Sequence, residues 1–201
     1  MAIFEGAGVA LVTPMNENLE VNYDKLEELL EEQIAGGTDA IVICGTTGES
    51  ATLTEEEHMR TIRFAIDKVN HRIPVVAGTG SNSTATATQM SKEAAEAGAD
   101  GIMIHSKDKS GEDIKKFCYA FRQLNKSIPI VVVPTTYNHI TETELASWGV
   151  NVIIYANHLL RSAYPAMLNT AKIILANERS FEANDLCMSV REILELIPGT
   201  K

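Results

Sequence analysis

Two adjacent threonines, Thr46 and Thr47, stand in a short loop within the stretch AIVICGTTGESATL, residues 40–53. The apolar run before them is β-branched and stops at Gly45, while Thr54 and the three glutamates after it are typical of a helix start. In parallel α/β proteins such a junction lies at the carboxyl end of a strand, where ligands bind. Free backbone N–H groups and two hydroxyls would suit a small carboxylate. A plain capped loop without a ligand is the alternative.

Six short apolar runs, each followed by a helical pattern, must position that loop. Three of these runs lie in similar sequence segments, each with a glycine before the apolar residues: AGGTDAIVI at 35–43, AGADGIMI at 97–104 and WGVNVII at 148–154. Repeated strand-helix units predict a parallel sheet covered by helices, either doubly wound or a (β/α) barrel, although a barrel normally has eight units and about 250 residues. The predicted strands are residues 8–14, 40–44, 74–78, 101–105, 128–133 and 150–155, and the predicted helices are residues 23–35, 54–70, 84–97, 113–123, 142–147, 158–175 and 180–196.

The composition excludes several classes of partner. The chain has 201 residues, of which 45% are hydrophobic and 22% charged, and a formal net charge of -10, which disfavours nucleic acid and anionic membranes. No apolar run approaches the roughly 20 residues that span a bilayer, so we expect no membrane partner and a cytoplasmic location. The cysteines, Cys44, Cys118 and Cys187, are far apart and predict reduced core thiols rather than disulfides or a metal site.

Three motifs stand out in the first half of the chain: GVALVTPM at 8–15, CGTTGESATL at 44–53 and PVVAGTGSNST at 74–84. Through these motifs, residues 1 to about 100 resemble the dihydrodipicolinate synthase family. The family consists of pyruvate-dependent (β/α)8-barrel lyases, also called 4-hydroxy-tetrahydrodipicolinate synthases. The resemblance implies that Thr46 and Thr47 hold the pyruvate carboxylate and that Thr47 joins a proton relay. It also implies that the Schiff-base lysine, its tyrosine partners and a substrate-binding arginine belong to the later half of the barrel.

Three further segments lie in the second half of the chain: AGADGIMIHSK at 97–107, IPIVVVPTTY at 128–137 and VNVIIYANHLLRSAYPAML at 150–168. Through these segments, the chain from about residue 97 to residue 201 resembles a second family, the phosphoenolpyruvate mutases of the isocitrate lyase superfamily. The resemblance implies that His105 contacts the phosphonate or phosphate end of a substrate. The acidic Mg²⁺ cluster and the mobile lid of that family belong to segments that synthase-like sequence replaces here.

The two resemblances meet within AGADG, so the chain looks like a splice of two barrel proteins. We expect one (β/α) TIM-barrel-like domain over residues 1–201, with about six parallel strands in an incomplete or rearranged barrel. It would consist of a synthase-like part, 1–100, and a mutase-like part, 101–201, which includes a C-terminal helical tail. In an incomplete barrel the apolar edge strands must be covered, for example by another subunit. The resemblance to the mutase superfamily also implies that the final helix is exchanged between neighbouring barrels. The chain is therefore expected to form a homo-oligomer.

The predicted strands and the loops after them contain few reactive side chains. No predicted strand contains a lysine, and after the strands only Glu49 and Asp108 could offer carboxylates to a cation. We therefore predict no catalytic residue, no metal and no cofactor, in a barrel protein that lacks the catalysis of both parents. The alternative is a dihydrodipicolinate synthase-type lyase or a phosphoenolpyruvate phosphomutase, so whether the chain is an enzyme stays open. A small 2-oxo acid is the expected ligand, and its candidate binding residues are Thr46, Thr47 and His105.

Overall fold

A computed structural model describes residues 3–196 and contains a six-stranded parallel sheet. The strands follow one another in the sheet in chain order, and each pairs in parallel with the next. This order is that of a partial (β/α) barrel, and it confirms the predicted fold class. The strands are β1 (Gly8–Ala10), β2 (Ala40–Ile43), β3 (Val75–Gly78), β4 (Gly101–Ile104), β5 (Ile130–Val132) and β6 (Val152–Ile153).

Helices connect the strands and begin at polar caps. Asn22, Thr54, Ser83 and Thr141 each accept a backbone N–H in the first turn of the helix that follows, which satisfies donors that the helix itself cannot pair. The helices are α1 (Tyr23–Ala35), α2 (Glu55–Val69), α3 (Thr84–Glu96), α4 (Glu112–Leu124), α5 (Glu142–Ser147), α6 (His158–Asn177) and α7 (Val190–Glu195).

The main core lies between the sheet and the helices. Alternate strand residues such as Ile41, Ile43 and Ile102 are fully buried in one cluster with Ile62 of α2 and Phe121 of α4. Because neighbouring residues of a strand point to opposite faces, the helices cover one face of the sheet. The carboxyl ends of all six strands lie at the same edge, where the connecting loops can form a site.

Three predicted elements differ from the structure. The first strand ends at Ala10 rather than near Pro14, and the sixth covers only Val152–Ile153. Residues 180–196 are not one helix, because a 3₁₀ turn at Phe181–Leu186 is followed by α7 with its own capping box at Ser189. The sequence also predicts that the last helix ends at the Pro-Gly pair, residues 198–199, and this pair lies outside the described residues.

The chain separates into two compact units, Met1–Tyr155 and Ala156–Lys201. The first contains the sheet and α1 to α5. The second contains α6, the 3₁₀ turn and α7, and α6 has no buried residue. Cys44 and Cys118 lie in the core of the first unit as predicted, whereas Cys187 is exposed, so its prediction as a core thiol is wrong. No helix among residues 3–196 has both the length and the apolar character needed to cross a bilayer.

Candidate functional site

The loop between β2 and α2 carries the two adjacent threonines. We call residues 45–49 the threonine loop. Thr46 and Thr47 are both exposed, and within residues 3–196 neither hydroxyl makes a hydrogen bond to protein. Inside the loop, the backbone N–H of Glu49 donates to the carbonyl of Thr46 at 3.1 Å. Both hydroxyls are therefore available to a ligand at the carboxyl edge of the sheet.

The backbone on either side of the loop adopts an unusual conformation. Cys44 and Glu49 have positive φ values, 54° and 52°, in the left-handed region that non-glycine residues seldom occupy. Such residues persist where the surrounding structure holds them, and they often flank functional loops. A 3₁₀ turn, Ser50–Thr52, then leads into α2, whose N-terminal Thr54 and Glu57 form a capping box.

The start of the threonine loop packs against the end of β3. A Cβ atom at Gly78 would lie 2.4 Å from the carbonyl oxygen of Cys44 and 2.8 Å from the backbone nitrogen of Gly45. These distances are far below van der Waals contact, so only glycine fits there. The imidazole Nε2 of His58 lies 2.7 Å from the carbonyl oxygen of Gly78, and since a carbonyl only accepts, Nε2 is the protonated nitrogen.

The far end of the threonine loop is held by a residue of the β1–α1 connection. The Thr13 hydroxyl donates to the carbonyl oxygen of Gly48 at 2.7 Å, and Thr13 is only 4% exposed. A Cβ at Gly48 would lie 3.0 Å from the carbonyl oxygen of Leu11 and 3.3 Å from the Cα of Cys44. Gly48 is thus packed between the chain after β1 and the start of its own loop.

Burial sets the protonation of the groups behind the loop. It raises the pKa of the Cys44 thiol to about 12, so this cysteine stays protonated near neutral pH and is no nucleophile. Burial also lowers the pKa of His58, so its imidazole is neutral near pH 7, with smaller opposing effects from the Gly78 carbonyl and Glu55. Neither group supplies charge to a ligand, and both act on the loop through packing and hydrogen bonds.

His105 lies two strands away, beyond β4. It is exposed and lines a small cavity of about 30 Å³ with Ser81, Asn82 and Ser106, a volume that suits one water molecule. Neither Thr46 nor Thr47 lines this cavity. All three predicted binding residues lie at the same edge of the sheet, with β3 between the threonine loop and His105. Their role in binding stays a prediction.

Groups for covalent or metal chemistry are scarce. None of the six strands contains a lysine, while Lys107 and Lys109 follow β4 and are exposed. Among residues 3–196 no group of three histidine, cysteine or acidic side chains could hold a metal ion. The two threonine hydroxyls are neutral hydrogen-bonding groups, which suit binding of a carboxylate more directly than they suit bond making.

Comparison with known proteins assigns the family. Residues 3–106, about half of the chain, match the dihydrodipicolinate synthetase family. The chain belongs to this family. Its relatives include 4-hydroxy-tetrahydrodipicolinate synthase of Lachnoclostridium phytofermentans, 55% identical over 133 residues that cover 66% of this chain and 45% of that protein. The enzyme of the same name from a Thermoanaerobacter species is 42% identical over 190 residues, which cover 90% of this chain and 62% of that protein.

Solved structures of this family share the fold. Dihydrodipicolinate synthase from Aquifex aeolicus aligns with a TM-score of 0.61 and 40% identity, over 66% of this chain and 46% of that chain. A chloride-inhibited enzyme from Acinetobacter baumannii, complexed with pyruvate, aligns with a TM-score of 0.61 and 36% identity, over 67% of this chain and 47% of that chain. The chain thus spans less than two thirds of the length of each of these relatives.

The comparisons support one of the two predicted resemblances. The family match contains all three synthase motifs, and the Thermoanaerobacter alignment, at 90% of the chain, extends well beyond residue 106. That extent favours a synthase relationship past the predicted change of family near Ala97. These relatives give no support to the splice or to the mutase family, whose resemblance stays a prediction.

Sequence reasoning did not identify the residues that hold the threonine loop. Thr13 is part of the first synthase motif and Gly78 is part of the third, but neither was predicted to contact the loop. A possible signal is the glycine at the end of β3, because a glycine that closes a strand often marks close approach of another backbone. The sequence does not reveal which backbone approaches.

Proposed function

We propose that this chain is a lyase of the dihydrodipicolinate synthase type whose described part binds the carboxylate of a small 2-oxo acid. The threonine loop is the binding element, and the hydroxyls of Thr46 and Thr47 donate to the carboxylate. The observation that carries this proposal is the exposure of both threonines, with unengaged hydroxyls, at the carboxyl edge of a sheet that belongs to this family. Hydroxyl donors to a carboxylate form short, charge-assisted hydrogen bonds.

The bound carboxylate would orient the adjacent carbonyl carbon. A lyase of this type condenses that carbon with a lysine amine, which forms a C=N bond and releases the carbonyl oxygen as water. The resulting imine withdraws electrons and makes the neighbouring methyl group more acidic. In this scheme the threonine loop fixes the 2-oxo acid so that one face of its carbonyl is presented to the amine.

A second candidate is a spliced barrel protein that binds a 2-oxo acid and does not turn it over. It is supported by the lack of lysine in the six described strands, since the amine step needs such a group at the site. Lys107 and Lys109 follow β4, and both are exposed. The two candidates share the binding step and differ in covalent chemistry. For either we propose the cytoplasm as the compartment.

Borohydride trapping separates the candidates. The chain is incubated with pyruvate and sodium borohydride, and the intact mass and tryptic peptides are measured. The lyase predicts a stable adduct of reduced pyruvate on one lysine, and substitution of Thr46 and Thr47 by valine should reduce its yield at least tenfold. Thr38→Val, at the opposite edge of the sheet, is the matched control and should leave the yield unchanged. Pyruvate binding without an adduct would support the second candidate instead.

A further inference from the structure

The threonine loop is held at both ends by residues that do not belong to it. We propose that Thr13 and Gly78 are positioning residues for a carboxylate ligand, because they fix the exit and the entry of this loop. The inference rests on the proposed function for its ligand, but the restraint on the loop can be measured without one. Neither residue would contact the ligand.

The exit of the loop depends on one buried hydrogen bond. Thr13 follows β1, and its hydroxyl reaches 35 residues along the chain to the carbonyl of Gly48 at 2.7 Å. Both residues are buried, so this carbonyl has no access to bulk water if the hydroxyl is removed. A buried acceptor that loses its donor tends to move toward a new partner. Movement of Gly48 would carry Thr47, its neighbour, with it.

The entry of the loop depends on close backbone packing. Gly78 ends β3, and its Cα approaches the peptide that joins Cys44 to Gly45 so closely that no Cβ fits. His58 of α2 bonds the carbonyl of Gly78, while the Cys44 thiol lies 3.9 Å from the carbonyl of His58. These contacts join β3, α2 and the start of the loop into one packed unit.

Between these two ends the loop is supported by short-range hydrogen bonds. Within the loop the N–H of Glu49 donates to the carbonyl of Thr46 at 3.1 Å, and just after it Ser50 donates to Gly45 at 3.4 Å and Thr52 to the carbonyl of Glu49 at 2.9 Å. Thr46 and Thr47 are exposed, so side-chain packing does not fix them. Their hydroxyls can present a fixed pair of donors only if the loop ends are fixed. A carboxylate needs both donors at defined positions, so its binding affinity should decrease when either end of the loop shifts.

Thr13→Val tests this inference, with Thr13→Ser as the conservative rescue. Thr61→Val is the control, because Thr61 is also buried, at 0% exposure against 4% for Thr13, and its hydroxyl also donates to a carbonyl at 2.7 Å, that of Glu57. Pyruvate is titrated into each variant by calorimetry. We expect Thr13→Val to weaken binding about tenfold, while Thr13→Ser and Thr61→Val stay within about twofold of the unsubstituted chain. Thr13→Val should lose more stability than Thr61→Val, because the Glu57 carbonyl still accepts the backbone N–H of Thr61 inside α2.

Amide hydrogen exchange by NMR supplies the second readout, which needs no ligand. In Thr13→Val the N–H groups of Glu49 and Ser50, which donate to the carbonyls of Thr46 and Gly45, should exchange about tenfold faster, and Thr13→Ser should restore the slower exchange. Thr61→Val should leave these rates unchanged. Equal exchange and equal pyruvate affinity in Thr13→Val and Thr61→Val would overturn the positioning role. If the unsubstituted chain does not bind pyruvate, the proposed function fails, and the exchange rates still decide whether Thr13 restrains the loop.

Discussion

The imidazole Nε2 of His58 lies 2.7 Å from the carbonyl oxygen of Gly78. This contact joins the first turn of α2 to the end of β3, directly behind the peptide that starts the threonine loop. His58 is 4% exposed, so the bond is shielded from water. A ring that also carried a proton on Nδ1 would place a positive charge in this buried position, which is unfavourable.

The stability of the fold should therefore decrease when the solution is acidified. Burial lowers the pKa of His58 below its ordinary value of 6.5. Below that pH the imidazole therefore binds a proton more readily in the unfolded chain than in the folded chain. The contribution of His58 to stability is complete above pH 6.5 and is lost as the pH falls from 6.5 towards the folded-state pKa. The free energy of unfolding should fall by at most about 1.4 kcal/mol per pH unit for this proton.

Urea unfolding between pH 5 and pH 8 measures the slope of the free energy of unfolding against pH. His58→Gln keeps an N–H donor for Gly78 and cannot be protonated in this range, so its slope between pH 5 and 6.5 should be smaller. His71→Gln is the control, because it replaces an exposed histidine by the same residue. An identical slope in the His58 and His71 variants would contradict the assigned burial effect.

Gly78→Ala should destabilise the fold more than Gly80→Ala. The added methyl group would meet the carbonyl oxygen of Cys44 at 2.4 Å, whereas at Gly80 the nearest atom is the backbone nitrogen of His105 at 3.2 Å. Overpacking against a fixed backbone typically costs about 1–3 kcal/mol, and we expect the Gly78 variant in that range. Gly80→Ala should cost less than about 1 kcal/mol. Equal losses in urea unfolding would show that the β3 end does not restrain the loop.

The strands were predictable where apolar side chains run without interruption, as at Ile41, Val42 and Ile43. The end of β1 was not, because Leu11, Val12 and Thr13 look equally strand-like in sequence. The structure gives the reason: Ala10 pairs with Val42, and β2 ends one residue later at Ile43, so the chain after Leu11 has no partner strand. A strand needs a neighbour to pair with, and local propensity does not report where that neighbour ends.

Only the part of the candidate site that is contiguous in sequence was predictable. The threonine loop is visible in sequence because the strand end, the loop and the helix cap are contiguous from residue 40 to residue 57. The support from Thr13 and Gly78 depends on contacts between segments more than 30 residues apart in the chain. Such contacts follow from the order and register of the strands, which only the folded sheet defines.

Arg122 should be a strong contributor to stability in the later part of the sheet. From α4 its guanidinium donates to the carbonyls of Gly149 at 2.6 Å and Ile128 at 2.7 Å, and to Oδ1 of Asn151 at 2.6 Å. Arg122→Met should cost about 2–3 kcal/mol in urea unfolding, since hydrogen bonds from a charged donor are lost. Arg63→Met, which removes an exposed ion pair with Glu93, should cost no more than about 1 kcal/mol. A smaller loss for Arg122 would contradict this assignment.

The expected homo-oligomer can be tested by size-exclusion chromatography with light scattering. Leu159 and Leu175 of α6 are 86% and 78% exposed in the single chain, and exposed apolar helices are usually covered in an assembly. We expect a mass of at least two chains. The mass of one chain at micromolar concentration would contradict the expectation.

Calorimetric titration of pyruvate into the chain and into Thr46→Val/Thr47→Val tests directly whether the threonine loop binds a carboxylate. We expect saturable binding to the unsubstituted chain and a loss of at least tenfold in affinity when both hydroxyls are removed. Thr38→Val should bind as the unsubstituted chain does. Binding of equal strength in the double variant, or no binding to any variant, would contradict the assignment of the threonine loop as the carboxylate site.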